Sequence, residues 1–381
     1  MGAIQDPEIF TFKTLKGILI NAPRRIAQHQ SCFVFTDSAF SWRYQIVDLV
    51  SRGYRVIAPD LLGCLSWDFF VYFGFWVMIA QQPREESSFG GTSKPKEVEA
   101  YGKAGMCKSL IEILEHEGVK EKITIVSHDW GSIVAARFLT YHPEKVELWV
   151  TLCVPPTAPG QLPRGVDYLA LIRKHIPQFG YQIYFMSEQS GEEVDRHCQT
   201  GMLLLYFHME RGLEKKIEEK LSKYKEESFV WEGVFQKQLN EACEELESVT
   251  IEDPEIAYFV SEMKQNGLAP AFNWYRARMV DQKDEEAAQL PVAFSSDIPC
   301  LFIGAPKDPA CPPGIFTEAS KAKLFPNGNI ECINIEGANH FLCEAPAHRA
   351  QVTKTLGDWI ENQQKHLAEK AHSSPKSKTS T

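Results

Sequence analysis

Short apolar runs alternate with longer segments of helical periodicity at both ends of this chain. Over the first 156 residues, the runs at 55–59, 123–126 and 148–154 have the length of buried strands, and residues 101–117 and 132–142 carry apolar side chains at helical spacing. The pattern resumes with apolar runs at 300–304 and 331–335 and a closing helical stretch at 351–364. Such alternation predicts an α/β fold with a mostly parallel central sheet flanked by helices. Between the two halves the character changes. Pro155, Pro156 and Pro159 open, and Pro291 closes, a segment rich in helix formers that reads as an inserted helical cap at residues 157–291. The core is thus expected in two pieces, residues 1–156 and 292–362. The charged tract at 211–227 reads as solvated helix faces and loops rather than a binding surface. Residues 363–381, which end Ser-Ser-Pro-Lys-Ser-Lys-Thr-Ser-Thr, offer little apolar area and read as a disordered tail.

Composition narrows the class. The 381 residues, 44% of them apolar, suit a globular protein with more than one folding unit. A net charge of -10 argues against nucleic acid or an anionic membrane as a partner, since both demand clustered Lys and Arg. The 10 cysteines include no C-x-x-C pair, and several fall inside apolar patterns, as reduced buried thiols do. The opening Met-Gly-Ala-Ile-Gln-Asp-Pro-Glu has neither the cationic nor the apolar region of a secretory signal, so the expected setting is cytoplasmic.

Candidate chemistry centres on Ser127-His128-Asp129-Trp130-Gly131, which joins the apolar run at 123–126 to the helical segment at 132–142. Asp129 therefore sits on a strand-to-helix turn. On such a turn a strained backbone lifts one side chain above the sheet, and a carboxylate there attacks an electrophilic sp3 carbon to form an alkyl ester of the enzyme. The plainer reading is an Asp that caps an ordinary helix. An ester-forming aspartate also needs a base to activate water and an acid to orient that base. Asp308, in a loop after the run at 300–304, and His340, in Gly337-Ala338-Asn339-His340-Phe341, follow in the order nucleophile, acid, histidine. Alone, each reads as a turn residue or a surface histidine. With the turn at Asp129 they form a set.

Further motifs extend this set: Ser41-Trp42-Arg43-Tyr44-Gln45, the run from Gly53 through Asp60 to Gly63, Gly90-Gly91-Thr92-Ser93-Lys94-Pro95, Tyr181-Gln182-Ile183-Tyr184-Phe185 and Asn273-Trp274-Tyr275-Arg276. With these the chain resembles the cap-bearing epoxide hydrolases of the α/β-hydrolase superfamily over about residues 36–362. The resemblance implies an α/β-hydrolase fold with a helical cap, from which Tyr181 and Tyr275 donate hydrogen bonds to the epoxide oxygen. A phenol suits that task, being acidic enough to protonate an alkoxide yet itself protonated at neutral pH. It further implies that Asp129 opens the epoxide and that His340, oriented by Asp308, activates water against the resulting ester. The backbone amides of Trp130 and Phe35 would hold the oxyanion. The substrates are then a small-molecule epoxide and water, the product is a vicinal diol, and neither metal nor organic cofactor is required. Gly90-Gly91-Thr92-Ser93-Lys94 lacks the spacing of a phosphate-binding loop.

Two segments depart from the family pattern. Where relatives carry His-Gly-x-Pro in the loop that supplies the second oxyanion amide, this chain has Phe33-Val34-Phe35-Thr36, and residues 22–30 do not read as the strand that feeds it. A bulky Val34 there stands to misplace the Phe35 amide. Residues 64–89 interrupt the expected passage from Gly63 to Gly90 with an intensely aromatic insertion, too short in its uncharged part for a membrane span. Three readings are open for it: intervening sequence carried into the protein by an erroneous gene model, a hydrophobic lid extension, or a membrane-surface contact. The alternatives for function are a haloalkane dehalogenase, which shares the aspartyl nucleophile, and a catalytically impaired hydrolase-like binding protein.

Overall fold

The computed structural model describes residues 18–20, 31–35, 39–59, 61–62, 94–160, 166–295 and 297–373. The atypical insertion at 64–89, the segment at 22–30, Thr36 and the glycine-rich loop at 90–93 lie outside them. Seven strands among the described residues form one sheet: β1 (Ile18–Ile20), β2 (Ser31–Phe35), β3 (Arg55–Ala58), β4 (Ile123–His128), β5 (Val146–Leu152), β6 (Cys300–Gly304) and β7 (Ile330–Asn334). Their order is β1-β3-β2-β4-β5-β6-β7, and every neighbouring pair is parallel except β1 with β3.

Apolar side chains sit on both faces of β3, β4, β5 and β6, as they must when helices cover each side of a parallel sheet. Ile57, Ile125, Trp149 and Cys300 pack on one face with α2 (Lys103–His116) and α3 (Trp130–Tyr141), through Met106, Leu110, Val134 and Phe138. Val56, Val126, Val150 and Ile303 face the other way, toward α1 (Arg43–Ser51) and the C-terminal helix (Arg349–Ser373), through Ile46, Leu49, Val352 and Leu356. Each such fully buried aliphatic side chain stabilises the fold by about 1.5–3 kcal/mol.

Between β5 and β6 the regular elements among the described residues are helical, and the α-helices are α4 (Tyr168–His175), α5 (Tyr181–Phe185), α6 (Ser190–Arg196), α7 (Cys198–His208), α8 (Lys215–Leu221), α9 (Val234–Leu246), α10 (Pro254–Asn266), α11 (Asn273–Arg276) and α12 (Arg278–Ala287). Much of this segment shares a separate apolar cluster, in which Phe185, Leu203, Phe229, Phe235 and Leu239 are central. After β6 come α13 (Glu318–Leu324) and α14 (Arg349–Ser373). Among the described residues no helix is long and apolar enough to cross a membrane.

Two sequence readings are corrected. Phe33, Val34 and Phe35 are not loop but part of β2, where Phe33 pairs with Ile57 and Ile125, and Phe35 with Ser127. Cys-Phe-Val-Phe has the β-branched and aromatic content of a strand; Cys32 and Phe33 pair on both sides, whereas Val34 and Phe35 pair with β4 alone. Residues 363–373, expected in a disordered tail, continue α14. Gln364 accepts a hydrogen bond from the Tyr54 hydroxyl at 2.7 Å, Gln363 donates to Glu331 at 3.0 Å, and Leu367 packs on the core.

Candidate active site

The carboxyl ends of parallel strands gather the candidate groups. Asp129 leaves β4 with φ 48 and ψ -127, in the half of backbone space that disfavours any side chain, at a cost on the order of 1–3 kcal/mol. Its side chain makes no capping hydrogen bond to α3, although it occupies the N-cap position. The helix-cap reading therefore fails, and the strained turn instead presents the carboxylate to a cavity of about 210 Å³.

His340 faces it from the loop after β7, with Nε2 3.7 Å from Asp129 Oδ1. That is longer than a hydrogen bond, so the ring is not tied to the carboxylate. Its Nδ1 lies 2.7 Å from Asp308 Oδ2, in the loop after β6. Asp308 is fully buried, and its Oδ1 accepts from the amides of Ala310 at 2.9 Å and Cys311 at 3.3 Å. Burial alone raises a carboxyl, but the His340 ring and these two amides outweigh it and hold Asp308 below the usual range. An ionised Asp308 fixes the proton of His340 on Nδ1 and leaves Nε2 unprotonated, the state a base requires. Burial pushes Asp129 the other way, upward, against the pull of His340 and of the adjacent Trp130 amide.

Tyr181, at the start of α5, and Tyr275, in α11, line the same cavity as Asp129 and His340. Their rings meet edge to face at 6.2 Å, and Tyr275 also stands 4.9 Å from the ring of Trp130. Burial, reinforced by Tyr275 and Asp129, raises the Tyr181 phenol well above its ordinary value, so it remains a protonated donor. Phe35 ends β2 level with Ser127, two residues before the nucleophile candidate. The candidates on the described residues thus converge from β4, the β6 and β7 loops and the helical segment.

The cavity extends in two directions from this centre. One arm is apolar, lined by Met202, Leu205, Phe229, Phe259 and Phe272. The other, of about 390 Å³, shares Asp129, Trp130, Tyr181 and His340 but is lined by Tyr168, Gln182, Arg278 and Glu285.

Sequence reasoning assigned no role to His128 or Cys153. His128 Nε2 lies 2.9 Å from the carbonyl oxygen of His340, which also accepts from the Cys153 thiol at 3.3 Å. A carbonyl only accepts, so His128 carries its proton on Nε2. Burial and the neighbouring His340 lower its pKa to about 3, and it stays neutral. These two residues brace the backbone at His340. Together with His340 they are the one cluster of metal-type donors among the described residues, with ligand atoms within 4.8 Å of one another. Burial raises the Cys153 thiol well above its ordinary value, so at neutral pH the cluster offers no thiolate.

The alpha/beta hydrolase family matches residues 33–350. "Epoxide hydrolase srdG" of Neurospora crassa is 24% identical over 336 residues, which is 85% of this chain and 84% of that protein. Epoxide hydrolase A of Mycobacterium tuberculosis is 24% identical over 309 residues, covering 81% and 83% of the two chains. The rat bifunctional epoxide hydrolase 2 is 26% identical over 277 residues, and the match spans 42% of its length. The crystal structure of epoxide hydrolase A from Mycobacterium thermoresistibile superposes with a TM-score of 0.64 over 92% of this chain and 98% of its own, at 21% identity. Sheet order, strand-end site and family match agree: this chain belongs to the alpha/beta hydrolase family and has its fold.

Proposed function

We propose that this protein hydrolyses epoxides to vicinal diols through an ester on Asp129. The observation that carries this reading is the meeting, around one cavity, of a carboxylate on a strained turn, two tyrosines and a histidine that is held from behind by the buried Asp308. The similarity to proteins named epoxide hydrolases supports it. Asp129 attacks an epoxide carbon, the C–O bond breaks, and Tyr181 and Tyr275 donate to the departing oxygen. His340, oriented by Asp308, then takes a proton from water. The hydroxide attacks the ester carbonyl, whose oxyanion is held by the amides of Trp130 and Phe35, and the diol leaves with Asp129 restored. The second alkoxide takes the proton that water's hydroxyl leaves on the Asp129 carboxyl, and His340 returns its proton to the tyrosinate, so water supplies both added hydrogens and every group is restored.

In this reading residues 157–291 act as a cap over the site, and the lining of the apolar arm favours an epoxide with an apolar substituent. The buried, unpaired thiols of Cys107, Cys153, Cys300 and Cys343 support a reducing, cytoplasmic setting. A haloalkane dehalogenase would need indole or amide donors turned to a halide. The Trp274 indole instead donates to the Leu62 carbonyl at 2.8 Å, which favours the epoxide. The test is a parallel assay of purified protein with a styrene-oxide-type epoxide and a 1-bromoalkane. Diol from the first without bromide from the second is expected. Bromide release alone would establish the dehalogenase, and inertness toward both a binding protein.

A further inference from the structure

Behind the reactive groups lies a charged residue that the proposed chemistry does not use. Lys103, the first residue of α2, is 1% exposed and among the largest fully buried side chains of the molecule. Both oxygens of Asp281, in α12, hold it: Oδ1 accepts from the Lys103 backbone amide at 2.8 Å, and Oδ2 lies 3.0 Å from Nζ. Nζ also donates to the carbonyl oxygens of Tyr101 and Trp274, each at 3.4 Å. It stands 5.0 Å from the Trp130 ring and 5.3 Å from the Trp274 ring, within cation–π range of both. The packing beside it is tight: a Cβ on Gly102 would stand 2.9 Å from the Val280 side chain at Cγ1.

Burying an ammonium is costly even when it is paired, and an apolar side chain of similar volume would fill this space at lower cost. Stability alone therefore does not account for a lysine. Its location does: Trp130 follows the nucleophile, Trp274 precedes Tyr275, and the ammonium bonds to the carbonyl of one and the faces of both. We propose that Lys103, clamped by Asp281, is a positioning residue that fixes α11 against the Asp129 turn and so holds the Tyr275 hydroxyl at the epoxide oxygen. This rests on the epoxide reading. Lys103 touches neither substrate nor reacting atoms; it acts through Tyr275, and so on ring opening rather than on water attack.

The test is single-turnover kinetics with styrene oxide, following formation and decay of the enzyme ester by intact mass, for wild type, Lys103→Met, Tyr275→Phe and the double variant. Lys103→Met should slow ester formation by about tenfold to a hundredfold, the scale of a misplaced acid, while decay changes less than about threefold. The double variant should form ester no more slowly than Tyr275→Phe alone, because both changes remove one interaction. Asp281→Asn, which keeps the shape of the partner, should reproduce the selective loss and serves if Lys103→Met does not fold. Equal slowing of both steps, or losses that multiply in the double variant, would overturn the proposal while leaving the epoxide reading intact. Failure of the wild type to form any ester would overturn both.

Discussion

Replacing Asp308 by Asn tests how the site divides its labour. Oδ1 of Asp308 accepts from the Ala310 and Cys311 amides, and Oδ2 from His340 Nδ1 at 2.7 Å. An asparagine has one oxygen, which the two amides will claim, so its NH2 must face Nδ1. Nδ1 then becomes an acceptor, the proton moves to Nε2, and the nitrogen facing Asp129 can no longer take a proton from water. The imidazolium formed during water attack also loses its counter-charge. At a charge separation of about 4 Å and an effective dielectric constant of about 20, that interaction is worth about 4 kcal/mol, or roughly 10³-fold in rate. With the tautomer reversed as well, ester hydrolysis should fall by about 10³- to 10⁴-fold, while ester formation changes by no more than about threefold. Rapid-quench mass spectrometry with an epoxide in excess should find nearly all the variant esterified on Asp129 and diol release arrested after one turnover. Equal slowing of the two steps, or arrest without an ester, would refute the assignment of Asp308 to orienting the base.

In the proposed mechanism the two phenols act on the other step. Tyr181→Phe and Tyr275→Phe should each lower ester formation by about 10²-fold at unchanged folding stability, measured by stopped-flow and thermal melts. His128 gives a pH signature in stability. Its folded pKa of about 3 lies below the ordinary 6.5, so the unfolded chain takes up a proton first. The resulting stability is full above about pH 6.5 and is lost as pH falls toward 3, at about 1.4 kcal/mol per pH unit. Urea melts of wild type and His128→Gln between about pH 7 and 4.5 should show the steeper decline in the wild type; parallel curves would contradict it.

The sheet was legible where apolar runs are long and bounded, as at β3, β4 and β6, and the turn at Asp129 was legible because the strand before it and the helix after it have different periods. β1 and β2 were not. β1 is three residues long, and the segment before β2 is polar, so the neighbours β3 and β4 supply what the local pattern lacks. The extension of α14 was hidden for the same reason, since contacts to Tyr54 and Glu331 sustain a polar stretch whose own pattern suggests disorder. At the site, Asp129, Asp308 and His340 could be reasoned from chemistry and chain order, whereas Tyr181 and Tyr275 came from family resemblance. Lys103 could not be found at all. Its partner Asp281 is 178 residues away, and a lysine at the start of a helix looks solvated until the fold closes over it.

The central claim is that Asp129 itself bonds to the substrate, and single-turnover reaction in heavy-oxygen water tests it most directly. With enzyme in excess over epoxide, the oxygen added to the substrate should come from the Asp129 carboxylate, so the diol should be unlabelled and the peptide containing Asp129 should carry the heavy oxygen. A labelled diol and an unlabelled peptide would mean that water attacks the epoxide directly, and would contradict the account.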